Sequence, residues 1–124
     1  MHFTVEGQPQ GKARARFGNG HAYTPQKTKD YEERVGWAAK QVCRGLIQGP
    51  VRVIIVAYFQ VPKKFKNKTP FPKPLTKPDL DNIAKSCLDS CNGILWKDDA
   101  QVVSLLITKE YSEFPRVEVD VLAI

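Results

Sequence analysis

Asp79, Asp81, Lys85, Asp89 and the pair Asp98–Asp99 fall within one run, KPDLDNIAKSCLDSCNGILWKDDAQ, from Lys77 to Gln101. Asp79 and Asp81 are two residues apart, and Lys85 follows Asp81 by one helical turn. Carboxylates are the hard oxygen donors that Mg²⁺ takes, and an ion so held keeps waters that can enter the chemistry. A lysine on the same helical face supplies positive charge where a phosphate accumulates negative charge. These acids gather in a chain that is otherwise basic, which sets a cation site beside a surface for a polyanion. Metal-dependent hydrolysis of nucleic acid is the chemistry that these residue types imply.

Taken singly, each residue has a plainer reading. Asp81 and Asp89 bracket Lys85 at four-residue steps, as a surface ion-pair ladder would. Asp79 could be only a helix cap, and Asp98–Asp99 only a turn. As a set, a D-x-D-N-x-x-K run followed by D-D is denser than solubility requires.

Nineteen Lys and Arg against thirteen Asp and Glu leave the chain at +6, with a pI near 9.3, and such a balance favours an anionic partner. The charge is not evenly spread. Residues 7–29 hold Lys12, Arg14, Arg16, Lys27 and Lys29 without an acid. Residues 62–77 hold Lys63, Lys64, Lys66, Lys68, Lys73 and Lys77, again without an acid. Phe65 and Phe71 are interleaved in the second run, where bases could stack while lysines hold phosphates. One charged run is usually a solvated loop, but two runs flanking an acidic cluster read as arms for DNA. Lys12, Arg14, Arg16, Lys63, Lys64, Lys66, Lys68, Lys73 and Lys77 are the candidate DNA contacts.

The elements that must position these residues follow from periodicity. His2 to Glu6 reads as a short strand and Gly7 to Tyr23 as a basic loop. Thr24-Pro25 reads as a cap followed by a first-turn proline, opening a helix that Gly49-Pro50 stops. Tyr31, Val35, Ala38, Val42 and Leu46 form its apolar stripe. Val51 to Val61 reads as a central strand, and five prolines deny regular structure to residues 62–78. A second helix begins near Asp79–Asp81 and runs to Asn92-Gly93, with Ile83, Ala84, Cys87, Leu88 and Cys91 on its apolar face. Gln101 to Tyr111 and Arg116 to Leu122 read as strands joined by a short turn. The helix start carrying Asp79 and Asp81 and the strand start carrying Asp99 can then converge on one ion. The order β-α-β-α-β-β makes the fold α+β, with a mixed sheet and two main helices in one domain over residues 1–124.

The first residues lack the charged and apolar regions of a secretory leader, and no apolar run approaches membrane-spanning length. With three cysteines, an odd count, the chain is expected in the cytoplasm with reduced thiols and no membrane partner. Cys87 and Cys91 are expected as small apolar core residues rather than zinc ligands.

The motif resembles the RusA family of Holliday junction resolvases, small endonucleases of bacteria and prophages. The likeness is closest over Lys77 to Val103, where PDLDN, Lys85, Asp89, Asn92-Gly93, Trp96 and DDAQVV fit the family pattern. It is looser over Gly11-Lys12, Arg14, Arg16 and Tyr23-Thr24-Pro25, which are similar to the basic N-terminal loop of phage-type members. Cys91 stands where the family usually shows leucine, a core change. The resemblance implies that Asp79, Asp81 and Asp99 bind metal, that Lys85 is the catalytic lysine, and that Asp98 assists. It further implies a homodimer that uses Mg²⁺ or Mn²⁺ to make paired symmetric nicks in four-way DNA junctions during recombination and repair, in a bacterial or phage-infected cell. Two rivals stand beside it: a non-catalytic DNA- or junction-binding protein, and a metal nuclease acting on another branched or flap substrate.

Overall fold

Strand β4 (Val51–Gln60) carries the run VRVIIVAYFQ, and its neighbours decide which of its faces is dry. Val53, Ile55, Ala57 and Phe59 are buried, while Ile54, Val56 and Tyr58 between them are half-buried. The near-continuous apolar run is therefore a central strand sealed on one face only. In the computed structural model, which describes residues 1–13 and 16–124, β4 lies between β6 (Arg116–Ala123), antiparallel to it, and β5 (Val102–Ser112), parallel to it. β1 (His2–Glu6) pairs with the far side of β6, giving a four-stranded mixed sheet in the order β1-β6-β4-β5. Arg14 lies outside the described residues, and of Arg16 only the backbone is described.

Two helices, α1 (Gln26–Val42) and α2 (Leu80–Ser90), cover the sealed face. Tyr31, Val35 and Ala39 from α1 join Ile83 and Cys87 from α2 and Phe3, Val5, Val117, Val119 and Val121 from the sheet in one core. The fold is α+β, as the element order implies. Burial raises the pKa of the Cys87 thiol to about 12, with Cys91 adding to it, and burial alone takes Cys91 to about 12. Both remain neutral packing groups. Among the described residues, no helix is long and apolar enough to cross a membrane.

Several details differ from the sequence reading. β5 and β6 are joined by a short turn at residues 113–115, as the sequence reads, and the structure adds that they flank β4, because that turn carries the chain over the end of β4. Val61 N–H closes this end on Ser112 O at 2.9 Å. Helix α1 ends at Val42, well before Gly49-Pro50, and Leu46 lies outside it, 44% exposed. Contacts to the segment after α2 pull the chain off its helical path: Cys43 Sγ donates to Ile94 O at 3.1 Å, and Ile47 N–H to Leu95 O at 2.8 Å. Pro25, not Thr24, holds the N-cap position of α1, and no side chain caps it. The stretch read as a basic loop contains a small hairpin, β2 (Arg16–Gly18) and β3 (His21–Tyr23). Residues 62–78 hold only one 3₁₀ turn, Lys63–Phe65, and are tied to β5 by Lys73 on Glu110 at 2.6 Å and by Lys109 Nζ on Thr76 O.

Candidate active site

Helix α2 presents its acids from both ends. Asp79 is the N-cap residue, with extended backbone (φ −72°, ψ 157°), and its carbonyl accepts from Ile83 N–H at 3.1 Å. Its carboxylate makes no capping hydrogen bond, although aspartate is among the best capping residues. That carboxylate is exposed, as is Asp81 in the first turn, so both are free for another partner. Lys85 follows with its side chain 62% exposed and its Nζ 3.9 Å from Asp89 Oδ2.

After α2 the chain turns back on itself. Gly93 takes the left-handed conformation (φ 77°) that a side chain would resist, and its N–H donates to Trp96 O at 2.7 Å. Trp96, fully buried, returns a bond from its indole N–H to Asn92 Oδ1 at 2.8 Å. Asp98 then caps a 3₁₀ turn, Asp99–Gln101, by accepting from Ala100 N–H at 3.4 Å. Gln101 Oε1 accepts from Lys97 N–H at 2.9 Å, while its Nε2 donates to Ile47 O at 2.8 Å and Gly49 O at 3.0 Å.

This closed turn sets Asp99 against the C-terminal half of α2. The Asp99 carboxyl is raised above the usual carboxylate range, first by its hydrogen bond with Asp89, then by desolvation, then by Asp98. Like charges held this close cannot both ionise freely.

The N-terminal basic segment closes the same region. Lys12 N–H donates to Asn82 O at 3.1 Å, and Lys12 Nζ reaches Glu32 at 2.8 Å and Asp89 Oδ2 at 3.7 Å. Gly11 is packed so tightly that a Cβ there would lie 2.9 Å from both Asn82 Cβ and Pro78 Cβ. Gly11-Lys12 is thus pinned directly onto the PDLDN motif.

The structure brings together Asp99, Asp98 and Asp89, with Lys85 and Lys12 beside Asp89. Asp79 and Asp81 stand toward the other end of α2, Asp81 about 12 Å from Asp89 along the helix at 1.5 Å per residue. Among the described residues, no three His, Cys, Asp or Glu side chains are gathered closely enough to hold a metal as they stand. The donor chemistry nonetheless suits a hard cation: the donors are carboxylates, Asp79 leaves its own helix uncapped, and a cation would relieve the Asp89–Asp99 repulsion. Glu32 joins the site as a residue the sequence does not assign to it, and Asp89, which the sequence places in the acidic run without a role of its own, becomes the partner of Asp99 and Lys12. Asp89 is legible in its four-residue spacing from Lys85, whereas Glu32 carries no sequence signal.

The candidate DNA contacts divide. Lys12, Lys27, Lys77 and Asn82 line a cavity of about 400 Å³ beside the start of α2, so Lys27 of the first basic run joins the candidate contacts. Lys63, Lys64, Lys66 and Lys68 are exposed. Phe65 packs on Tyr111 with ring centroids 6.0 Å apart, and Lys64 and Lys68 lie over its ring at 4.9 and 5.7 Å. Lys73 is engaged by Glu110.

The sequence profile of the family described as Endodeoxyribonuclease RusA matches residues 6–122, which include all of α2 and the Asp98–Asp99 turn. The chain belongs to the RusA family. It is also 39% identical over 132 aligned positions to Uncharacterized protein YqaN of Bacillus subtilis (strain 168), covering 96% of this chain and 93% of that protein. As a RusA-family protein the chain belongs among the endodeoxyribonucleases, hydrolases of the DNA backbone.

Proposed function

We propose that this RusA-family nuclease resolves four-way DNA junctions by paired symmetric nicks, as a Mg²⁺-dependent homodimer acting in recombination and repair, with Mn²⁺ as the substitute ion. The observation that carries the reading is the Asp99 carboxyl pressed against Asp89 in a chain of net charge +6, with an uncapped Asp79 on the same helix. Asp79, Asp81 and Asp99, with Asp98 adjacent, would hold the ion. When bound, it supplies Lewis-acid polarisation of the phosphate and an acidified water. Lys85 places its ammonium beside the reacting phosphate and offsets charge as the linkage breaks. Lys12 holds Asp89 in place, while Lys27, Lys77 and the lysines of residues 63–68 bind flanking phosphates.

A junction with two-fold symmetry is matched by a two-fold protein, one site serving each cut strand. The free edge of β5, with Val103, Leu105 and Leu106 exposed, is the surface that a second copy would cover.

The test compares cleavage of a four-way junction, a flap and a linear duplex, with Mg²⁺ and with chelator, for the wild type and for Asp79→Asn and Asp99→Asn. The junction should be cut preferentially, only with the metal, and by neither variant, while junction binding persists. Equal cutting of the flap or linear duplex would overturn the substrate, and wild-type rates from either variant would overturn the metal site.

A further inference from the structure

We propose that the groove between the free edge of β1 and helix α1 is a docking site for an extended basic segment of a partner protein, bound by strand addition.

The hydrogen-bond register of β1 defines the edge. Met1 and Val121 exchange both backbone bonds at 2.9 and 2.8 Å, and Gly7 N–H donates to Pro115 O at 3.0 Å. Odd-numbered residues of β1 therefore pair with β6, and His2, Thr4 and Glu6 turn their N–H and C=O groups the other way. Among the described residues, no strand pairs on that side. The Arg34 guanidinium donates to Glu6 O and closes one end of the edge, leaving Thr4 open within the groove and His2 open beyond it, beside a second hollow that Arg44 lines. Beside this edge runs a groove of about 630 Å³, walled by Thr4 and Glu6 on one side and by Asp30, Glu33, Arg34 and Trp37 of α1 on the other. An edge strand flanked by a helix receives an extended peptide: the backbone ladder supplies affinity, and the helix selects alternate side chains.

Charge selects the occupant. The chain is at +6, yet the groove sets three carboxylates against one guanidinium. Asp30 accepts from Gln26 at 2.8 Å, while Glu6 and Glu33 make no ion pair among the described residues. Trp37, 67% exposed, offers a face for a cation or its aliphatic stem. DNA is repelled here, and α2 meets α1 beside Gly36, where a Cβ would lie 3.5 Å from Ser90 O at the end of α2, with Glu33 and Trp37 bordering both that hollow and the groove. A second copy of the same acidic edge would also be repelled. A basic peptide satisfies the edge, the acids and the indole together, and leaves the nuclease site free for DNA.

The probe is an N-acetylated decapeptide of alternating Lys and Val, titrated against the full chain while tryptophan emission is followed. Trp96 is fully buried, so the response reports Trp37. Saturable binding is expected, weakened at least tenfold by Glu33→Lys, by replacing the lysines with Glu, and by N-methylating alternate peptide amides, which blocks the ladder without altering the protein. Junction cleavage by Glu33→Lys should stay at the wild-type level, so the outcome is independent of the nuclease reading. No saturable response up to about 1 mM, a Kd that corresponds to only about 4 kcal/mol, would overturn the proposal. So would binding indifferent to N-methylation or to Glu33→Lys, and so would peptide binding that splits a dimer, since the groove would then belong to a second copy.

Discussion

Hydrogen-bonded to Asp89, the Asp99 carboxyl holds its proton more tightly in the folded chain than in the unfolded one. Between the ordinary value of 3.8 and the raised folded value, the native state binds the extra proton. Stability from this group therefore rises as pH falls through that window, and the repulsion returns as pH rises through it. Asp99→Asn should raise the melting temperature at pH 7 without metal, and the advantage should shrink toward about pH 4 as the wild-type acid protonates. A lower melting temperature for Asp99→Asn at pH 7 would mean that the two carboxyls do not repel. Lys85 poses a separate choice. An exposed pair with Asp89 is worth about 0–1 kcal/mol, so a purely structural Lys85 predicts near-normal turnover for Lys85→Ala. A lysine acting on the reacting phosphate predicts a loss on the order of 10²–10³ in single-turnover rate with little change in junction affinity. Lys85→Arg should restore only part of that rate, because the planar guanidinium cannot take the place of a compact ammonium.

At the scale of elements, the Gly11-Lys12 pin is the join between the basic segment and α2. Gly11→Ala forces a Cβ against Asn82 and Pro78, an overpacking that should cost about 1–3 kcal/mol in denaturant melts. It should also slow cleavage, since Asn82 is the immediate neighbour of Asp81. Lys12→Met should slow cleavage while leaving the salt dependence of junction binding nearly unchanged, because its ammonium is engaged by Glu32 and Asp89. The four lysines at 63, 64, 66 and 68 should behave in the opposite way. Replacing all four with alanine should weaken binding and flatten the plot of log affinity against log salt by about 0.9 for each phosphate no longer neutralised. The contrast explains what sequence could deliver. Both helices and the carboxylates on α2 are legible because each depends on neighbours within a turn or two. The partners of Lys12 lie 20 and 77 residues away, so its charge reads as an open DNA contact. The β2–β3 hairpin does carry a local signal, Asn19-Gly20, and both residues take left-handed φ values of 53° and 77°. Its strands are only three residues each, too short for an alternating pattern to stand out among the surrounding basic residues.

For the whole molecule, the sheet order is the least legible feature. An apolar run marks β4 as central, but nothing local says that β6 lies on one side and β5 on the other after so short a turn. That order leaves β5 as an outer strand with Val103, Leu105 and Leu106 exposed, at 64, 41 and 61%. If this edge joins two copies, Leu106→Glu should yield a monomer in analytical ultracentrifugation. The same variant should cut one strand of a junction without the paired second nick. A dimer persisting in Leu106→Glu, with paired nicks intact, would move the interface elsewhere.

The turn from Cys91 to Gln101 has a consequence for how such a chain can change length. Asn92, Gly93, Trp96 and Gln101 close it on itself and onto residues 47 and 49, so its span acts as a fixed spacer between Asp89 and Asp99. One added residue there would shift Asp99 relative to α2 and break several bonds at once. Residues 62–73 impose no such ruler, since their ties to β5 run through the Lys73 and Phe65 side chains rather than a closed backbone turn. Insertions and deletions among descendants of this gene should therefore collect in the lysine-rich segment and be purged from the tryptophan turn.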